Sequence, residues 1–156
     1  MRILHVTQGY SPAIGGTELL MQRVSEELVE RGGDEVTVFT TDCYNGDAFY
    51  SPALPSLPSG WSDVNGVRVR RFPVRRRISR ALRGPQALAY RLRLPFNERL
   101  RALTGGTNVP GLREAIQSAP ADVIAAAPLP LVRRLDGLRG ARGGGRAWCG
   151  AGGGAP

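Results

Sequence analysis

The chain has 156 residues, 42 % of them apolar, and a net charge of +8 carried by 21 arginines against 13 acids, with no lysine. That length and apolar share allow one domain with a sizeable core, while Cys43 and Cys149, far apart and in no CxxC pair, exclude a disulfide scaffold and a structural zinc site and make a reducing compartment the expectation. No apolar run approaches the roughly 18 residues of a spanning helix, and the apolar start ends at Gln8, too early for a signal-peptide core, so a cytoplasmic chain is expected, with peripheral attachment to the inner face of the membrane left open.

The first predicted element is MRILHVT, where Ile3, Leu4 and Val6 form an apolar run without clean alternation, as in a parallel strand buried on both faces. His5, between Leu4 and Val6, is read as a core residue rather than a catalytic group. SPAIGGTELL follows, with Gly15 and Gly16 immediately before a helix. In TELLMQRVSEELVER, Leu20, Val24 and Leu28 recur at i, i+4 and i+8 with Met21 beside them. This predicts an amphipathic helix of about four turns, with Glu18 near its positive end and Arg31 near its negative end. Gly32 and Gly33 stop it, and the β-branched EVTVFTT, Glu35 to Thr41, is a second strand.

Strand, glycine loop, helix and strand make a βαβ unit whose loop lies at the carboxyl end of the sheet, where open α/β folds bind ligands. Gly15 and Gly16 there serve either a tight turn or the close approach of an anion, such as a diphosphate, to the helix-start amides. No GxGxxG is present, and without a lysine there is no P-loop.

Residues 42–63 carry three prolines and, among their aromatics, Phe49, Tyr50 and Trp61 with no sustained period, and are read as a loop whose aromatics cover core or stack on a ligand. Asn65 and Gly66 predict a turn, after which Val67, Val69 and Arg71 alternate with Arg68, Arg70 and Phe72 in a strand ending at Pro73. One polar side makes it an edge strand or part of a small hairpin. No acid occurs between Asp63 and Glu98, whereas Arg68 to Arg93 include ten arginines, with Ile78 and Leu82 and then Leu88 to Leu92 as an apolar stripe. Such a basic amphipathic region docks on anionic lipid, holds an anionic ligand, or is a solvated charged face. Residues 108–124 predict a helix with Pro110 in its first turn and Leu112 and Ile116 on one face, and DVIAAA a strand whose end, Ala127 to Pro130, faces the glycine loop.

The ordered set ILHVTQGYSPAIGGTELLMQRVSEELVERGGDEVTVFT, NGVRVRRFP and GLREAIQSAPADVI resembles the N-terminal half of a family 4 glycosyltransferase of the GT-B type, over residues 2 to about 130. The resemblance implies an α/β fold: a Rossmann-like open parallel sheet flanked by helices, one half of a GT-B architecture whose second domain is absent. It implies sugar transfer from a nucleotide-sugar donor to an acceptor, usually with retention and without a metal. The donor is a substrate, so no cofactor is expected, and the acceptor is an unknown sugar, lipid or small molecule. Carried onto this chain, the donor diphosphate contacts are Gly15, Gly16 and Thr17.

The chain departs from that pattern where relatives commonly have GHEV and it has Gly33, Asp34, Glu35 and Val36, and where many have a histidine-bearing run and it has Ala125, Ala126 and Ala127. No catalytic residue is therefore assigned. The expected domain covers residues 1–131, and residues 132–156, rich in glycine and arginine, are expected to form a disordered tail, read as a shifted frame or incomplete gene rather than an RNA-binding arginine-glycine segment. By itself the chain is expected to be inactive as a fragment. The rival expectation is a non-enzymatic Rossmann-like module whose arginine-rich surface binds anionic lipid or nucleic acid, with attraction to an anionic membrane through Arg68 to Arg93 preferred over specific nucleic-acid recognition.

Overall fold

The computed structural model describes residues 1–13, 15–45, 48, 54–75, 88, 91 and 109–127, and the backbone of 147–150. The strands are β1 (Arg2–Thr7), β2 (Glu35–Thr41), β3 (Gly60–Val64), β4 (Val67–Phe72), β5 (Val123–Ala127) and β6 (Ala147–Gly150). Helices α1 (Gly16–Glu30) and α2 (Leu112–Ser118) accompany them among the described residues. The strands form one sheet in the order β3-β4-β2-β1-β5-β6. All neighbours pair in parallel except β3 and β4. The fold is thus α/β as expected, with a mostly parallel, mixed sheet in which the antiparallel β3 departs from the expected parallel arrangement. Four residues of the glycine- and arginine-rich tail supply β6.

Both faces of the sheet are covered, as the uninterrupted apolar pattern of β1 requires. On one face Ile3, Val36, Val38, Val67 and Val69 pack with Leu28 and Val29 of α1. On the other, Leu4, Val6, Phe39, Phe72, Ile124 and Ala126 pack with Leu112, Ala115 and Ile116 of α2. Each fully buried valine or leucine in these layers contributes roughly 1.5–3 kcal/mol. The helices fall on opposite faces because strand order proceeds from β1 through β2 to β4 in one direction and to β5 in the other. The carboxyl ends of β1 and β5 consequently lie side by side at the point where that direction reverses, with Thr7 in register with Ala127.

Three local expectations are corrected. The segment 42–63, read as a loop, ends in β3: GWSDV has no alternation of its own, and its strand is induced by pairing with β4 through the Asn65-Gly66 turn, where φ is 52° and 80°. With β3 outside it, β4 takes the small hairpin that the sequence offered as the alternative to an edge position. Of the stripe Leu20-Val24-Leu28 only Leu28 packs on the sheet: Leu20 is 62 % and Val24 40 % exposed, and the only fully buried residue of α1 is Ser25. A small residue wins that place because His5 rises from the sheet beneath it, with Nδ1 2.8 Å from Ser25 Oγ. Pro110 precedes α2 rather than entering it, since Gly111 at φ 78° forms the N-cap. Of the basic stretch 76–108 only Leu88 and Arg91 are described, both exposed; its apolar stripe otherwise lies outside the described residues, as do Phe49 and Tyr50.

Candidate functional site at the carboxyl end of the sheet

The site is built on the loop that joins β1 to α1. Thr7 Oγ1 donates to the Gly9 carbonyl at 3.1 Å, and Thr41 Oγ1 donates to the Gln8 carbonyl at 2.7 Å. The loop then turns, with Ala13 N–H on the Tyr10 carbonyl at 3.0 Å. From below, Arg71 of β4 donates to the Ser11 carbonyl at 2.6 Å and to Ser62 Oγ at 2.5 Å. Arg71 is only 9 % exposed, its Nε has no partner among the described residues, and burial pulls its guanidinium below the usual arginine range. Alternation placed Arg71 on the inward side with Val67 and Val69, so its burial was legible; that it would hold the glycine loop was not.

Of the expected phosphate contacts, Gly15 is the N-cap of α1, and Gly16 and Thr17 are its first two residues. The first intrahelical bond runs from Leu19 N–H to the Gly15 carbonyl at 2.9 Å, which leaves the amides of Gly16, Thr17 and Glu18 outside the helical ladder. The two glycines differ in what they make room for. A Cβ on Gly15 would collide with the Glu18 carboxylate, and one on Gly9 would meet Glu18 Cγ at 2.9 Å, whereas a Cβ on Gly16 would meet none of the described residues within 4 Å. The backbone at Gly15 is extended, with φ −170°, and Gly16 is helical, so neither requires a positive φ. Sequence reasoning left Glu18 as a charge near a helix dipole. The third position after the cap, from which a carboxylate reaches back over the helix start, is the signal that places it there.

Neighbouring loops close around this one. Asp42, after β2, donates its N–H to the Phe72 carbonyl at 3.0 Å, and its Oδ1 accepts the Val74 N–H at 3.2 Å, tying the ends of β2 and β4 together. Cys43 beside it is buried, its Sγ 3.7 Å from Asp42 Oδ1. Residues 128–130, expected to complete the site beyond β5, lie outside the described residues.

In comparisons with protein-family models, curated proteins and solved structures, nothing matches this chain.

His5 does not belong to the site. The Ser25 hydroxyl donates to the Met21 carbonyl at 2.7 Å, so its oxygen accepts from His5 Nδ1, which fixes the proton of a neutral imidazole on that nitrogen. Burial lowers the affinity of His5 for a second proton. Tyr10, packed on the same face, has a phenol pushed up by burial and held back in part by Ser25, although its hydroxyl makes no hydrogen bond of good geometry among the described residues. Among the described residues no group of three or more histidines, cysteines or acids is placed to hold a metal, and no helix is long and apolar enough to cross a membrane. The chemistry on offer is electrostatic: helix-start amides, an open glycine and a buried guanidinium beneath the loop.

Proposed function

We propose that the chain is the acceptor-side half of a family 4 glycosyltransferase of the GT-B type, and that its glycine loop receives the diphosphate of a nucleotide-sugar donor. The observation that carries this reading is Gly16: it opens a fifteen-residue helix beside the reversal of strand order, and among the described residues no atom lies within 4 Å of where its Cβ would stand. The parallel strands β4-β2-β1-β5-β6 follow the 3-2-1-4-5 order of a Rossmann-like sheet, which supports the reading. In it, the amides of Gly16 and Thr17 meet the diphosphate, and as the bond from the sugar to the leaving nucleotide breaks they take up the developing negative charge. Glu18 competes with the ligand for the same helix end. The described residues give one wall of such a site. The base, the sugar and a bound acceptor need a facing surface to hold them together, so transfer by this chain alone should be negligible.

The test is a titration of the chain with uridine and guanosine diphosphates, followed by backbone amide NMR. Shifts should concentrate on Gly15, Gly16, Thr17 and Glu18. Gly16→Val should abolish them with no loss of melting temperature, because a Cβ there meets none of the described residues within 4 Å and the backbone is helical. The weakening should be on the order of tenfold or more, the scale of one lost charge-assisted hydrogen bond. Shifts elsewhere, or a Gly16→Val chain that binds as the parent does, would show the glycines to be turn formers only.

A further inference from the structure

The hairpin of β3 and β4, at the far edge of the sheet from β6, carries a surface that the sugar-transfer reading does not use. On the side away from α1, β3 presents Trp61 and Asp63, and β4 presents Arg68, Arg70 and Phe72, with Trp61 in register with Arg70 and Asp63 with Arg68. Trp61 is 54 % exposed and is held edge-on to Phe39, with ring centroids 6.2 Å apart. The guanidinium carbons of Arg68 and Arg70 stand 5.0 and 5.4 Å from the centroid of its ring. Arg70 also lies 4.8 Å from the Phe72 ring, which itself packs on Phe39. Neither Arg68 nor Arg70 has an ion-pair partner among the described residues. The acid opposite Arg68 is engaged elsewhere: Asp63 Oδ1 accepts the Gly66 N–H at 3.1 Å. Arg75, also exposed, continues the positive surface past the end of β4.

We propose that this hairpin docks the chain on an anionic lipid bilayer, with Trp61 entering the headgroup region and Arg68 and Arg70 pairing with lipid phosphates. Charge complementarity restricts the occupant to a phosphate-rich surface, and the arrangement of the ring decides between a bilayer and nucleic acid. A base stacks on an open ring face, but here two guanidinium groups and the Phe39 ring already crowd the indole. A headgroup layer instead favours an amphipathic ring lying at its level beside cations that reach the phosphates. Stacking on the ring also shields part of each guanidinium from water, which lowers the cost of bringing it to the interface. The proposal is independent of the glycine loop and stands whether or not that loop binds a nucleotide.

The experiment is co-sedimentation of the full chain with phosphatidylcholine vesicles, with and without phosphatidylglycerol, followed by tryptophan emission with brominated lipid as quencher. Binding should require phosphatidylglycerol and weaken as salt rises. Replacing Arg68 and Arg70 together by glutamine should weaken it roughly 30-fold, at about 1 kcal/mol for each arginine near the surface. In the parent, brominated lipid should quench part of the emission, and Trp61→Phe should remove that quenched part while circular dichroism shows the fold retained. Equal binding to neutral vesicles, an Arg68→Gln/Arg70→Gln chain that binds as the parent does, or unquenched parent emission would overturn the proposal. So would the absence of vesicle binding together with tight binding of a single-stranded oligonucleotide at physiological salt, which would assign the surface to nucleic acid.

Discussion

At the amino end of the strands, charge is paired and closed. The Met1 ammonium lies 2.9 Å from Asp34 Oδ1, which raises its affinity for its proton. Asp122 accepts the backbone N–H of Arg2 at 2.8 Å and its guanidinium at 3.1 Å, and those contacts hold its carboxyl below the usual range. At the carboxyl end the balance is different. The buried side-chain atoms without a hydrogen-bond partner among the described residues belong to Tyr10, Thr40 and Arg71, which end or follow β1, β2 and β4. Stability is thus completed at one end, while the other keeps polar groups and an open glycine in reserve. This is where an α/β sheet places its ligands, and the contrast marks the carboxyl end as the candidate site without any sequence motif.

The strongest challenge to that contrast is Arg71→Met. It leaves the Ser11 carbonyl and the Ser62 hydroxyl without their charged donor, contacts that ordinarily contribute about 1.5–3 kcal/mol each, while relieving the burial of a guanidinium with an unpartnered Nε. A net loss of about 2 kcal/mol in urea unfolding is expected, with amide shifts across the Ser11 to Gly15 loop and none at Asp34 or Asp122. A variant as stable as the parent, with its loop unmoved, would mean that Arg71 does not anchor the site.

The region between the two ends is tested by pH. His5 has its folded-state pKa below the ordinary 6.5, so as pH falls beneath that value the unfolded chain takes up a proton that the folded chain refuses. Stability is then lost from about pH 6.5 downward, by as much as about 1.4 kcal/mol per pH unit, until His5 also titrates in the fold. In His5→Asn this component of the slope should vanish from thermal unfolding measured between pH 7 and 5. An unchanged slope would show that the imidazole is not closed off from water.

Glu18→Ala sharpens the comparison from the carboxyl end. Loss of a carboxylate from the first turn should lower helix stability by about 0.3–1 kcal/mol and, by removing a competitor, tighten nucleoside diphosphate binding a few-fold in calorimetry. Weaker binding would make Glu18 a contributor to the ligand site instead. The smallest effect is expected at the amino end, where Asp122→Asn removes a solvent-exposed charge but keeps an acceptor for the Arg2 N–H. Its melting temperature should differ little from the parent's near neutral pH and should converge with it as acid protonates Asp122 in the parent.

Much of the fold was legible because it is written in short-range pattern. The second strand occupies Glu35–Thr41 as read, and the first helix spans Gly16–Glu30, one residue earlier at each end than the stretch Thr17 to Arg31 read from the sequence. Gly33, at φ 61°, follows it as a stop. The site was legible in position, as a glycine loop ahead of a helix, but not in its parts. Gly15 and Gly16 look alike in the sequence, and only the Glu18 side chain folded across one of them tells them apart.

The sequence by itself determined the β1-α1-β2 unit, the turn at Asn65 and Gly66 and the charge of the strand after it, since periodicity, β-branching and glycine act over a few residues. Tertiary structure alone decided that GWSDV is a strand, that Ser25 rather than Val24 faces the sheet, and that Arg71 lies under the glycine loop. Each of these depends on a partner from a distant part of the chain: β4 for β3, His5 for Ser25, Ser11 for Arg71. Local propensity carries no record of which group will stand opposite once the sheet has formed, and it is the opposing group that fixes strand pairing, helix rotation and the burial of a charge.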